Sequence, residues 1–218
     1  MARTGSIRIS SKLRQALDEQ LISHARAHAR HPLHITPHQT DGTQSHVVDE
    51  DFGRYRVLED LKVYTISASE AARTGLRHSK CEGRTLLIRW PSGLLAQVDE
   101  HERDGKHVVA RMSTGTMALE LVKATKRVRQ FSPRGSARGV ETRILSVPSI
   151  HLVAVWRHWP AKIEKDHFVP VTGNFLGLHR GHQYSRPKID AVVRREAARL
   201  IIRWYERQHD IMKDQTSR

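Results

Sequence analysis

Residues 142–171, TRILSVPSIHLVAVWRHWPAKIEKDHFVPV, hold the longest nearly uncharged apolar run in the chain, and their reading decides the fold. From Ile150 to Trp156 both alternating faces are mostly apolar, with Ile150, Leu152, Ala154 and Trp156 on one side and Val153 and Val155 on the other. A strand with that pattern is buried on both faces. His151 falls inside it, on the Val153 side. The polar segment 159–166 opens with Trp-Pro and turns the chain back, so residues 168–171 supply a short partner strand. Pro170 cannot donate to a ladder and belongs at that strand's end or open side. The stretch therefore reads as a hairpin at the centre of one sheet.

Upstream, a second strand system follows Cys81. Leu86, Ile88 and Trp90 alternate with Thr85, Leu87 and Arg89, Pro91-Ser92-Gly93 makes a tight loop, and Leu94, Ala96 and Val98 alternate on the return. Pairing Trp90 with Leu94, Ile88 with Ala96 and Leu86 with Val98 gathers six apolar side chains on one face, which fixes the register. After Asp104-Gly105, Val108, Ala110 and Met112 continue that face. A strand over residues 61–66 precedes Ser67-Ala-Ser-Glu70, which has the form of a capping box and opens a short helix to about His78.

Four helices are expected near residues 12–30, 68–78, 116–130 and 189–209. The fold class is α+β, a mainly antiparallel sheet of about five to seven strands with flanking helices and a C-terminal amphipathic helix. The domain plan is an N-terminal helical arm and His-rich linker (1–48), an α+β core (49–186) and a basic C-terminal helix and tail (187–218). With 218 residues, of which 38% are hydrophobic, a single core is expected.

The opening SIRIS strand (residues 6–10), with Arg8, followed by a helix carrying Leu13, Ala16, Leu17, Leu21 and Ala25, resembles the start of a ribbon-helix-helix DNA-binding unit. The likeness spans about 20 residues and stops where HPLHITPHQTDGTQSH replaces the second helix such a unit needs, so no function is carried over from it. His24 and His28 stand at the i, i+4 spacing of metal ligands, but the following His31, His34 and His38 lie beyond Pro32 in a segment with no helical period. The expectation is that no metal and no cofactor is held.

The chain has 37 Lys and Arg against 23 Asp and Glu, a net charge of +14. Residues 1–60 carry 8 basic and 8 acidic side chains, 61–142 carry 15 and 8, and 143–218 carry 14 and 7, so the excess follows residue 60. Such a balance points to polyanionic partners. One cysteine, Cys81, excludes an internal disulfide, and no window approaches a membrane span, so the expected location is cytoplasmic with no membrane contact.

Two basic elements stand out. On the helix over 116–130, Met117, Leu121, Ala124 and Val128 point inward, and the outward side with its following loop carries Lys123, Lys126, Arg127, Arg129, Arg134 and Arg138. Residues 121–140 contain those six cations and no acid. Further on, His179, Arg180, His182, Arg186 and Lys188 crowd a Gly- and Pro-containing loop. The helix over 189–209 then sets Ile189, Val192, Val193, Ala197, Leu200, Ile201 and Trp204 on one arc and Arg195, Arg199, Arg203 and Arg207 on a ridge at i+4 steps. Like charges so spaced repel unless something answers them. Phosphates would do so, and the sequence reads best as a non-enzymatic nucleic-acid-binding or ribonucleoprotein accessory protein.

Two alternatives belong to other classes. One is a histidine-dependent hydrolase or nuclease, in which the hairpin brings His158 and His167 together beside Asp166 for general acid–base work. The other is an interaction subunit that meets an acidic protein. The chain contains no phosphate-binding glycine loop, paired metal-ligand motif or nucleophile elbow.

Overall fold

The computed structural model describes residues 11, 13–15, 17–19, 54–103, 106–130 and 139–216. The elements are β1 (Arg56–Thr65), α1 (Ala68–Thr74), β2 (Lys80–Arg89), β3 (Leu95–Arg103), β4 (Lys106–Thr114), α2 (Thr116–Gln130), β5 (Glu141–Val147), β6 (Leu152–His158), β7 (His167–Pro170), β8 (Tyr184–Ser185) and α3 (Arg186–Thr216). The eight strands hydrogen-bond in the order β4-β3-β2-β1-β5-β6-β7-β8. The fold is α+β with a mixed, mainly antiparallel sheet; β1 and β5 form a parallel pair through Lys62↔Arg143 to Thr65↔Ser146. The eighth strand, one more than the upper expectation, is only two residues long.

The chain divides into two compact units, residues 1–60 with 85–118 and residues 61–84 with 119–218. Each has its own cluster of buried side chains, where composition suggests one core.

In the first unit, Leu13 and Leu17, both helical, are buried with Val57, Leu86, Ile88, Trp90, Ala96 and Val98. The hairpin after Trp90 closes with Gly93 N donating to Trp90 O (2.9 Å) and Trp90 N to Leu94 O (3.0 Å), as the pairing of Trp90 with Leu94 requires. Leu94 itself is exposed. Val98 pairs with Met112, but a bulge between Asp99 and Glu100 then sets Glu100 against Val109. A bulge moves the alternation by one residue. Val109, with Met112, therefore packs on the cluster, and Val108 and Ala110 are exposed.

The second unit is organised on β6, which pairs along its whole length with β5 (Val147↔Leu152 to Glu141↔His158) and over four residues with β7 (Ala154↔Pro170 to Arg157↔His167). The hairpin is as read, but β6 begins two residues late. Pro148–Ile150 forms a 3-10 turn, and His151 is exposed and left-handed at φ 49°, not inside the strand. Pro148 favours that turn, because its ring fixes φ near the helical value and it has no N–H to give a ladder. Thr172 braces the corner, with its hydroxyl donating to His151 O (2.7 Å) and accepting from Val153 N (2.7 Å).

One face of this unit carries Leu145, Val147, Leu152, Ala154, Trp156 and Phe168, packed with Ala71 of α1 and with Ile189, Val192, Val193 and Ala197 of α3. Trp156 stacks on Phe168 at 5.5 Å between centroids. The capping box at Ser67 forms, Glu70 N donating to Ser67 Oγ at 3.3 Å and Ser67 Oγ donating to the Glu70 carboxylate at 2.9 Å. α1 ends at Gly75 (φ 61°), where a Cβ would collide with the Asp190 carboxylate. That carboxylate accepts from Leu76 N at 2.7 Å and from Arg194 Nη2 at 3.1 Å, which joins α1 to α3.

α3 is longer than its apolar arc suggests. Its arc is buried from Ile189 to Ala197, but Leu200 and Trp204 are exposed, 53% in the case of Trp204. No helix among the described residues is long and apolar enough to cross a membrane.

Candidate nucleic-acid interface

On α2 the buried residues are Ala118, Leu121, Ala124, Thr125 and Val128, a stripe at i, i+3, i+6, i+7 and i+10 that turns the intervening cations outward. Met117 is exposed, and Ala118 takes the inward place expected of it. Lys123, Lys126, Arg127 and Arg129 are all exposed. Arg134 and Arg138 lie outside the described residues.

Lys123, Lys126 and Arg127 line a cavity of about 480 Å³ whose far wall is Pro170, Arg180 and Gly181. The loop with Arg180 is held by its backbone: Gly181 N donates to Pro170 O (3.1 Å), Arg180 N to Asn174 Oδ1 (3.2 Å) and His179 N to Tyr184 Oη (2.8 Å). Gly181 comes so near that a Cβ there would stand 3.6 Å from Arg127 Nη1. Four cations thus share one concavity with one carboxylate, Glu120, and that carboxylate is already on Lys123 Nζ at 2.8 Å. Arg129 continues the field toward β6. Burial, and then the charge of Arg129, depress the Arg157 pKa below the usual guanidinium value. Arg157 donates to Thr142 Oγ1 at 2.8 Å.

The ridge of α3 is a separate surface. α3 packs on the face that holds Ala154 and Trp156, whereas Arg157, near Arg129, alternates onto the other face. Arg195, Arg199, Arg203 and Arg207 are all exposed. Glu196 answers the first two, at 2.6 Å to Arg195 Nε and 3.0 Å to Arg199 Nη1, and these cations hold its carboxyl below the usual range. Half of the expected ridge is therefore a local ion-pair cluster.

The proposed catalytic trio is divided. His158 Nδ1 stands 3.2 Å from both oxygens of Asp166, so that pair forms. His167 pairs with Arg157 and hence faces away from His158, its ring 5.5 Å from Trp159. The sheet's alternation, invisible until the register is known, separates the two imidazoles. Asp166 is fully buried and also accepts from Trp159 N (2.9 Å) and Arg186 Nη1 (2.8 Å), which makes it a junction of β6, β7 and α3. Burial lowers the His167 pKa, and nearby Asp166 offsets part of that.

Among the described residues no three His, Cys, Asp or Glu side chains gather as a metal site would need. His24, His28, His31, His34 and His38 lie outside them. Cys81 is exposed and free, its Sγ 3.7 Å from Gly83 O. Sequence reasoning noted Arg180 only as one of a basic loop and missed Arg157 altogether. The signal for Arg180 was present in the glycine beside it, which permits the close approach to α2. No protein-family model, curated protein or solved structure matches the chain.

Proposed function

We propose that the protein is a non-enzymatic nucleic-acid-binding or ribonucleoprotein accessory component that grips phosphates at α2. The observation that supports this most is the shared cavity of Lys123, Lys126, Arg127 and Arg180, in which four cations converge with a single carboxylate. Convergence matters more than the total charge. A cation spread over an ordinary surface meets one phosphate or none, whereas a concave group of cations releases several counterions from one stretch of backbone. Arg129 extends the track, and Arg203 and Arg207 on α3 offer a distinct, weaker contact.

The test is anisotropy binding to single- and double-stranded DNA and RNA across a salt series. The wild type is compared with Lys123→Ala/Lys126→Ala/Arg127→Ala and with Arg180→Ala. The wild type binds with affinity that falls log-linearly in salt, and each lost phosphate contact makes the slope shallower by about 0.7–0.9. Absence of binding to all four at low salt overturns the reading and sends the search to acidic protein partners.

A further inference from the structure

We infer, resting on the nucleic-acid reading and deepening it, that the α2 cavity receives the phosphorylated end of a strand, a phosphomonoester, in preference to an internal phosphodiester. Charge is the first reason. Lys123, Lys126, Arg127 and Arg180 share one opening of about 480 Å³ with a single carboxylate, Glu120. Glu120 is occupied by Lys123 at 2.8 Å. Lys126, Arg127 and Arg180 are exposed, and their side chains have no hydrogen-bond or ion-pair partner among the described residues. Three unanswered cations around one concavity raise the local field. An internal diester brings one negative charge to it, whereas a phosphomonoester brings about −1.5 to −2 near neutral pH and three acceptor oxygens.

Arrangement is the second reason. Lys126 and Arg127 come from α2, and Arg180 comes from the opposite wall. The walls approach until a Cβ on Gly181 would stand 3.6 Å from Arg127 Nη1. A diester offers two unbridged oxygens on one side of a chain that has to enter and leave, so cations on one side suit it best. A monoester spreads three oxygens around phosphorus, and guanidinium forks on facing walls can each take a different one. The described lining residues include no aromatic ring, so the cavity has no platform on which a base could stack. What it holds is the phosphate, and its preference is for the end of the strand, whatever the sequence.

Calorimetric titrations test this with one short single strand in three forms: with a 5′-phosphate, with a 3′-phosphate, and with hydroxyls at both ends. The proteins are the wild type, Arg180→Ala, Lys126→Ala/Arg127→Ala and, on the separate α3 surface, Arg203→Ala/Arg207→Ala, each checked for an unchanged melting temperature. A phosphorylated form is expected to bind the wild type about tenfold more tightly than the hydroxyl form, and comparison of the two phosphorylated forms shows which end fits. Arg180→Ala and Lys126→Ala/Arg127→Ala each erase that difference, and Arg203→Ala/Arg207→Ala keeps it. Equal binding of all three forms by the wild type overturns the end preference and leaves the nucleic-acid reading standing. No binding of any form at low salt overturns both. An end preference that survives Arg180→Ala in full puts the terminal phosphate elsewhere and overturns the proposal as well.

Discussion

Arg186, the first residue of α3, donates to Asp166 Oδ2 at 2.8 Å, and Asp166 is completely buried at the start of β7. The backbone repeats the link, Arg186 N donating to Asp166 O at 3.2 Å. A carboxylate with no access to water is stable only while its donors remain, and here these are a guanidinium, the Trp159 amide and the His158 ring. Asp166→Ala is expected to cost about 3–5 kcal/mol in urea unfolding, because it strands Arg186. His158→Ala removes one donor from an otherwise satisfied carboxylate and costs about 1 kcal/mol. If the trio were instead a general acid–base site, His158→Ala would abolish a turnover with little effect on nucleic-acid affinity.

His167, on the opposite face, predicts a pH dependence. Its folded-state pKa lies below the usual imidazole value, first because of burial, with Asp166 pulling it partly back. A lowered histidine pKa means that the unfolded chain binds the proton more readily than the fold does. Its contribution is therefore fully present above the unfolded value near 6.5 and is lost as pH falls through the folded pKa. Between pH 7 and pH 5 the wild type should lose more stability than His167→Gln. Parallel unfolding curves for the two proteins would count against this.

Tyr55 ties the N-terminal helical residues to β1. Burial first, and then the hydrogen bond and charge of Asp18, raise its pKa to about 12. Ultraviolet titration should therefore show a late phenol near 12 that shifts down in Asp18→Asn. A raised phenol pKa gives stability that is complete below pH 10 and is lost as pH rises through 12. A titration unchanged by Asp18→Asn would show that the contact does not form in solution.

The hairpin, the capping box and the amphipathic helices were legible in the sequence because period and cap chemistry are local. What failed was non-local. Nothing around Asp99 announces the bulge that takes Val108 out of the cluster and brings Val109 in. The separation of His158 from His167 depends on a pairing register, not on either residue's neighbours. The basic cavity needed Arg180, about 55 residues from α2. Counting charges by segment conceals such sites, since convergence in space is what raises the local field.

The two halves of α3 should respond differently to substitution. Ile189 is fully buried among Leu145, Leu152 and Phe168, so Ile189→Ala should cost about 2–5 kcal/mol through lost burial and the cavity it leaves. Trp204 and Tyr205 are 53% and 63% exposed and touch each other edge to face, with ring centroids 5.0 Å apart. Trp204→Ser with Tyr205→Ser should leave global stability within about 0.5 kcal/mol, as surface changes do. The described large apolar side chains of the distal turns, Ile202, Trp204, Tyr205, Ile211 and Met212, are exposed, and an isolated helix of that length is marginal in water. Amides beyond Leu200 should accordingly exchange with deuterium orders of magnitude faster than those from Ile189 to Ala197. Equal protection along the helix would mean that the apolar side of the distal half is covered in solution, and the double serine variant would then lose that protection first.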